Sequence, residues 1–436
     1  MLGLARRFGV GKRLDMNVSF GIVGAGPSGL TLARLLQETL GAKTVLFEAG
    51  ERIGGKSQSF RFGDSVCEMG TCYAQRGDRL VRRWMREHGI RWKTIDKAKI
   101  DGEDFVAYVK RGAGGPLTLQ TLAFLRHRGR LMRALEARPN DPDVLAEAAS
   151  PIGDWLRARN LHKVERFFYR ALVTTGYGYI HDTNTLQALR WIDWDLIASG
   201  ILNDLVMPVE GWTEFWARFA AEIDIRLATP VREIERQADR VAVITDTGTH
   251  TFDYVICACP LDEFARLTQP TDAEQFVLDG TWWGRFTITL AAVENWFTRE
   301  QIRTFADAID ANAQKGMLIS ARREAYAEDL GGWLYILGQM PESDLSLAQV
   351  TEILSEDVRR HGGAYRAAVM QTDWKYYARY RPEAIREGLV QRMADMQGEA
   401  RTFYTGSMFC HEAVGKIAIF NEGLAKRIAT EASAPA

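Results

Sequence analysis

Gly24-Ala25-Gly26-Pro27-Ser28-Gly29 sets glycines at the first, third and sixth places of one short loop. A G-x-G-x-x-G of this kind binds phosphate when a strand runs into it and a helix leaves it. Gly24 allows the tight turn, Gly26 lets the backbone approach a pyrophosphate, and Gly29 lets helix and strand pack closely. Pro27 suits a first helical turn, where its missing N–H costs nothing. Around Ser28, free N–H groups and the positive end of the helix dipole then face the phosphates. Glu48 stands 19 residues beyond Gly29, the place of a carboxylate that holds a ribose diol. Ala49 follows it, then Gly54, Gly55 and Lys56, whose charge can neutralise phosphate.

A second set of residues could meet a substrate. Tyr177 and Tyr179 lie in Thr175-Gly176-Tyr177-Gly178-Tyr179, and Tyr376 lies in Trp374-Lys375-Tyr376-Tyr377. These three are the candidates for contact with a cofactor ring or a substrate. His181 is a candidate base, and Arg285, beside Trp282 and Trp283, a candidate carboxylate partner. Trp and Tyr are dense through this middle region, and aromatic walls suit an apolar or planar molecule. Each aromatic also has an ordinary reading as core.

The elements that must position these groups are legible near the loop. Residues 18–23, VSFGIV, read as a short buried strand. Leu30 to Leu40 reads as a helix with Gly41 at its end. Thr44–Phe47 is a second strand that Glu48 closes. The whole unit is strand, loop, helix, strand and acid in register, which predicts a dinucleotide site. Farther along, Asp78–His88, Leu119–Leu135 and Leu347–His361 read as helices. Phe286–Val293, Trp333–Gly338 and Ala367–Trp374 read as strands. Residues 119–135, LQTLAFLRHRGRLMRAL, are amphipathic and basic. Both a surface helix over the core and a peripheral membrane contact stay open for them.

The run E-x(5)-G-G-K from Glu48 to Lys56, behind G-x-G-x-x-G, resembles the FAD signature of a flavoprotein superfamily. Its members are flavin amine oxidases, phytoene desaturases and protoporphyrinogen oxidases. Pro208 to Phe219 resembles that superfamily's P-x-G-G-x-x-x-L stretch, and residues 222–238 its low-lying T-x-V-x-x-I strand. The resemblance implies that Val231 lends its backbone to the adenine end. Asp253 to Pro260 resembles the D-x-V-I-x-A-x-P strand. Phe403 to Gly406 and then Ala413-Val414-Gly415 resemble the last flavin motif, in which Gly406, Ala413 and Val414 would touch the cofactor. The G-Y-G-Y and W-K-Y-Y stretches are similar to patterns in polyunsaturated fatty acid isomerases and β-cyclopiazonate dehydrogenase-like proteins.

The resemblance implies an α/β fold with a Rossmann-like FAD-binding domain built from three separated segments, 17–75, 207–262 and 395–432. An α+β substrate domain would take 76–206 and 263–394, with 1–16 and 433–436 as flexible ends. FAD is the implied cofactor. Cys410 lies near the last motif, away from the place of the cysteine in covalent amine oxidases.

Other classes are disfavoured. No second G-x-G-x-x-G precedes a strand-like acid, which argues against a nicotinamide domain. No metal-ligand spacing and no G-x-S-x-G elbow occur. Lys+Arg 55 against Asp+Glu 56 gives no global pull on nucleic acid. No apolar run is long enough for a spanning helix. Five Cys, an odd number, do not make a disulfide framework and point to a cytoplasmic protein.

The expectation is an FAD-dependent oxidoreductase. It takes a hydride from an activated, allylic or similar C–H of an apolar or aromatic small molecule, giving desaturation or double-bond isomerisation. Molecular oxygen is one candidate acceptor. Two alternatives stand beside it. One is an amine oxidase giving imine and hydrogen peroxide, with Tyr376 and Tyr404 flanking the amine. The other is an FAD-bound, non-catalytic partner in a biosynthetic complex.

Overall fold

The computed structural model describes residues 18–310 and 313–432; the segments read as flexible ends, 1–16 and 433–436, lie outside the described residues. Strand β1 (Ser19–Val23) has the sequence SFGIV and β2 (Lys43–Phe47) KTVLF. Short apolar, β-branched runs of this kind suit a strand covered on both faces. The two pair in parallel, with Phe20 beside Thr44 and Val23 beside Phe47. A parallel pair needs a crossover, and α1 (Pro27–Leu40) supplies it. Gly41 ends α1 at φ 65°, where its N–H donates to the Gln37 carbonyl.

Three strands from far along the chain complete the sheet. The order is Thr402–Tyr404, Tyr254–Cys257, β1, β2, Asp224–Arg226, all parallel. The sheet therefore draws on residues within 17–75, 207–262 and 395–432. Residues 222–238 do not form one low-lying strand. Asp224–Arg226 joins this sheet, and the chain then breaks at Ala228 (φ 47°) and Pro230. Val231–Arg236 begins a separate antiparallel meander with Val241–Thr245 and Gly248–Phe252.

Each face of the parallel sheet is covered. On one side α1, the helix Arg79–Glu87 and the last helix, Val414–Ala432, bury Leu32, Trp84 and Ala418 with Phe20 and Ile22. On the other, Val241, Val243 and Phe252 of the meander pack with Val23, Phe47 and Val255. Asn421 fastens the last helix to α1, donating to the Ser28 carbonyl at 2.8 Å and to Thr31 at 2.7 Å.

A second, seven-stranded sheet is built around Thr281–Glu294, which pairs antiparallel with Ala364–Tyr380 and Gly332–Gln339. Helical residues Tyr108, Val109 and Val173 close over its Phe286, Ile288 and Leu334. The basic helix runs from Leu117 to Ala137. It buries Phe124 and Leu131 against Phe168 and Trp155, while Leu119 and Leu122 stay exposed. Among the described residues no helix is long and apolar enough to cross a membrane.

Candidate active site

The phosphate loop opens where β1 ends. Gly24 takes φ 108°, in the left-handed region that favours glycine, and its N–H donates to the Phe47 carbonyl at 2.9 Å. No side chain caps α1 and no acid stands in its first turn, so the helix presents bare N–H groups there. The loop's other two glycines differ in kind. A Cβ on Gly29 would lie 2.1 Å from the Gly24 carbonyl oxygen, so the fold itself demands glycine. A Cβ on Gly26 would meet only the Gly55 Cα, at 3.8 Å. Protein packing does not require glycine at 26, whereas a pyrophosphate lying against the backbone does.

Glu48 ends β2 and turns back to the loop. Its carboxylate accepts from the Ala25 N–H and the Gly50 N–H, both at 2.9 Å. Gly54, at φ 93°, donates to the Ala25 carbonyl at 2.8 Å and ties the second glycine pair to the first.

A cavity of about 540 Å³ begins at this loop and runs under the second sheet. Gly24, Gly26, Pro27 and Ser28 line one end, together with Glu48, Gly55 and Lys56. Gly406, Ala413 and Val414 line the facing wall, where the last helix starts. Tyr177 and Tyr376 line the deeper part. Five of the residues expected to touch cofactor or, with Tyr177 and Tyr376, the reacting centre are not on the lining. Gly29 packs α1 on the loop, Gly54 is a buried turn, Ala49 is exposed, and Val231 is half-buried at the head of the meander. Tyr179 is the fifth: it is buried with Phe286 and Ile288, and its hydroxyl donates to the Gln314 carbonyl. It is set in the core behind the chamber wall and does not line the chamber that Tyr177 reaches.

The aromatic pair also differs from the expected one. Tyr404 is buried in the parallel sheet and donates to Glu274 at 2.7 Å, so it does not face Tyr376. Tyr177 does. The two rings lie 6.0 Å apart and only 5° from parallel. Behind Tyr177 stand Trp191 and His411, whose rings stack at 5.1 Å. Burial drives His411 well below its ordinary range, assisted by Lys416 and Arg190, so this ring is neutral. Burial drives the Tyr177 and Tyr376 phenols well above theirs.

Lys56 is less free for phosphate than its position implies. It pairs with Glu412 at 2.6 Å and sits 5.2 Å from the Tyr376 ring centre. Arg285 is also engaged, donating to Asp373 at 2.8 Å and to the Glu342 and Leu345 carbonyls. His181 is exposed and stacks on Tyr179, away from the cavity.

Sequence reasoning missed the charged floor of the cavity. Glu68, Cys72, Arg170 and Arg322 all line it. Arg322 donates to the Cys72 sulfur at 2.6 Å and pairs with Glu324. Burial alone would lower the Arg322 guanidinium, but Cys72, Glu324 and Glu68 more than offset it and hold it up. Glu68 is 1% exposed and accepts from the Trp212 N–H and the Ser59 hydroxyl. Burial still pushes its carboxyl up to about 7. No motif marks these residues, because strands and loops far apart in sequence bring them together.

A flavin dinucleotide fits these residues. The open backbone at Gly26, the uncapped α1 and the turned Glu48 suit its adenosine and pyrophosphate. Gly406, Ala413 and Val414 would take the ring end.

Comparison with known proteins agrees. A model of the family described as flavin containing amine oxidoreductase matches residues 27–411. An L-amino acid oxidase of Cerastes cerastes is 30% identical over 95 residues, covering 21% of this chain and 18% of that protein. A pseudooxynicotine dehydrogenase of Pseudomonas is 22% identical over 265 residues, covering 57% of this chain and 53% of that protein. The chain thus spans about half or less of the length of these curated relatives. A CLA-producing fatty acid isomerase from P. acnes superposes with a TM-score of 0.78 at 17% identity, over 94% of this chain and 98% of that one. That likeness is one of fold.

Proposed function

The chain belongs to the flavin-containing amine oxidoreductase family, and from that premise we propose that it is an FAD-dependent oxidoreductase that takes a hydride from an activated C–H of an apolar small molecule. The C–H is allylic or similar, and the outcome is desaturation or double-bond isomerisation. One observation carries the reading. The cavity that begins at the phosphate loop continues into a chamber walled by Phe286, Ile288, Ile336 and Trp374. Such walls favour an apolar substrate and exclude water from the reacting centre.

The residues divide the work. Bound FAD supplies the hydride acceptor and, in an isomerisation, the hydride returned. The loop 24–29 and Glu48 hold the dinucleotide. The start of the last helix lends its positive dipole end to negative charge arising on that side. Tyr177 and Tyr376 position the donor as neutral phenols. Both hold their protons at neutral pH, so neither is a general base there. Removal of hydride from carbon, needing no strong base, suits such a site. An isomerisation returns that hydride at another carbon, whereas a desaturation also releases a proton from the neighbouring carbon to solvent and passes the two electrons to molecular oxygen.

A second reading is amine oxidation to an imine. The parallel Tyr177 and Tyr376 rings favour it as a flat aromatic wall against which a neutral amine would lie. Product analysis separates the two. Holoprotein is incubated with unsaturated fatty acids, prenylated aromatics and amines, with mass spectrometry and a peroxide assay as readouts. The proposal expects a desaturated or isomeric product from an unsaturated donor. Imine with stoichiometric peroxide, from amines alone, contradicts it.

A further inference from the structure

We propose that the substrate carries a carboxylate and that Arg170 is the residue that receives it, so the pocket selects apolar acids over amines. The inference rests on reading the cavity as the substrate chamber.

It comes from matching the charges on the cavity wall. Lys56 is paired with Glu412, Arg322 with Glu324, and Glu263 with Lys375. Glu48 is bound by two backbone N–H groups, and Asp104 caps the helix Phe105–Lys110. Asp96 and Lys97 are exposed at the rim, where water screens them. Arg322 Nη2 also has no hydrogen-bond partner among the described residues, but its guanidinium is already paired with an acid. Arg170 differs from all of these in having no acid partner. It lines the cavity, yet among the described residues no carboxylate lies within ion-pair distance of it. Its Nε is buried and has no hydrogen-bond partner among the described residues. Its guanidinium lies 5.1 Å from the Phe105 ring centre and beside Tyr73 and Cys72, with no carboxylate among these neighbours.

Arg170 is half-buried, and a cation partly withdrawn from water without a counter-ion is costly to hold, a cost that a bound anion removes. The guanidinium fork matches a carboxylate in a bidentate way. The helix His162–Val173 that carries Arg170 also places Phe167 on the wall, so charge and apolar surface come from one rigid element. Of the acids that an ammonium group would seek, Glu412 is paired with Lys56, its Oε2 having no hydrogen-bond partner among the described residues, Glu68 accepts from the Trp212 N–H and the Ser59 hydroxyl, and Asp96 stands at the rim. The same wall that anchors an acid therefore offers little to an amine.

The test reads binding without turnover. Dodecanoate, its methyl ester and dodecylamine lack an allylic C–H, and each is titrated into the holoprotein while the visible flavin spectrum is followed. The proposal expects dodecanoate to bind about tenfold to a hundredfold more tightly than the ester or the amine. Arg170→Met should abolish that preference while leaving ester affinity within about twofold, and Arg170→Lys should keep part of it. Equal affinity for acid and ester in the wild type overturns the proposal, as does an Arg170→Met protein that binds dodecanoate normally. Should Arg170→Met fail to take up flavin, the wild-type comparison decides alone. Failure of the hydride reading would show separately, as absent product from unsaturated donors with the binding preference intact.

Discussion

At neutral pH Glu68 holds its proton more firmly than an exposed glutamate does. Its carboxyl goes from an ordinary 4.5 to about 7, because burial outweighs the Trp212 and Ser59 hydrogen bonds. Below 4.5 the group is protonated in the folded and the unfolded chain alike. Between 4.5 and 7 the unfolded chain ionises first, so stability falls as pH rises, and above 7 the loss is complete. The full effect is about 3 kcal/mol. Asp78, pushed up to about 6 by burial, acts in the same direction. Glu68→Gln should therefore flatten, but not abolish, the decline in urea stability of the holoprotein between pH 5 and 8. Parallel curves for the two proteins would refute the assignment. Nothing in the sequence singles out Glu68. Tyr177 and Tyr376 stood out because each sits in a compact aromatic motif. That Tyr177 rather than Tyr404 faces Tyr376 depends on packing between segments about 200 residues apart, which local patterns do not carry.

At the scale of elements, the strand, loop and helix from 18 to 48 were readable because every constraint is local. The turn, the cap and the packing glycine fall within one βαβ unit. The stretch 222–238 was harder, since a single residue at φ 47° and one proline divide it between two sheets. The loop glycines allow a sharp contrast. Gly29→Ala forces a methyl group against the Gly24 carbonyl, and we expect a loss of at least about 2 kcal/mol in the thermal melt. Gly26→Val has room in the protein but fills the pyrophosphate's path. It should fold with a near-normal melt in the absence of added FAD and emerge colourless. A yellow Gly26→Val protein with normal flavin content would refute the cofactor site.

At the scale of the molecule, three distant segments make one parallel sheet and one wall of the cavity, and the second sheet roofs the chamber. The flavin half was legible because its motifs keep fixed spacings. The substrate half was not, since its walls are ordinary Phe, Ile and Trp side chains, and its charges come from separate strands and helices. Arg170 looks like any helical arginine until the structure shows it facing a cavity without an acid beside it. The central claim is that hydride leaves carbon in an apolar chamber, and an anaerobic visible spectrum of the yellow holoprotein tests it most directly. An unsaturated donor should bleach the flavin, or be converted without lasting bleaching and without peroxide when air is admitted. Bleaching by amines alone, followed by peroxide on re-aeration, would contradict it.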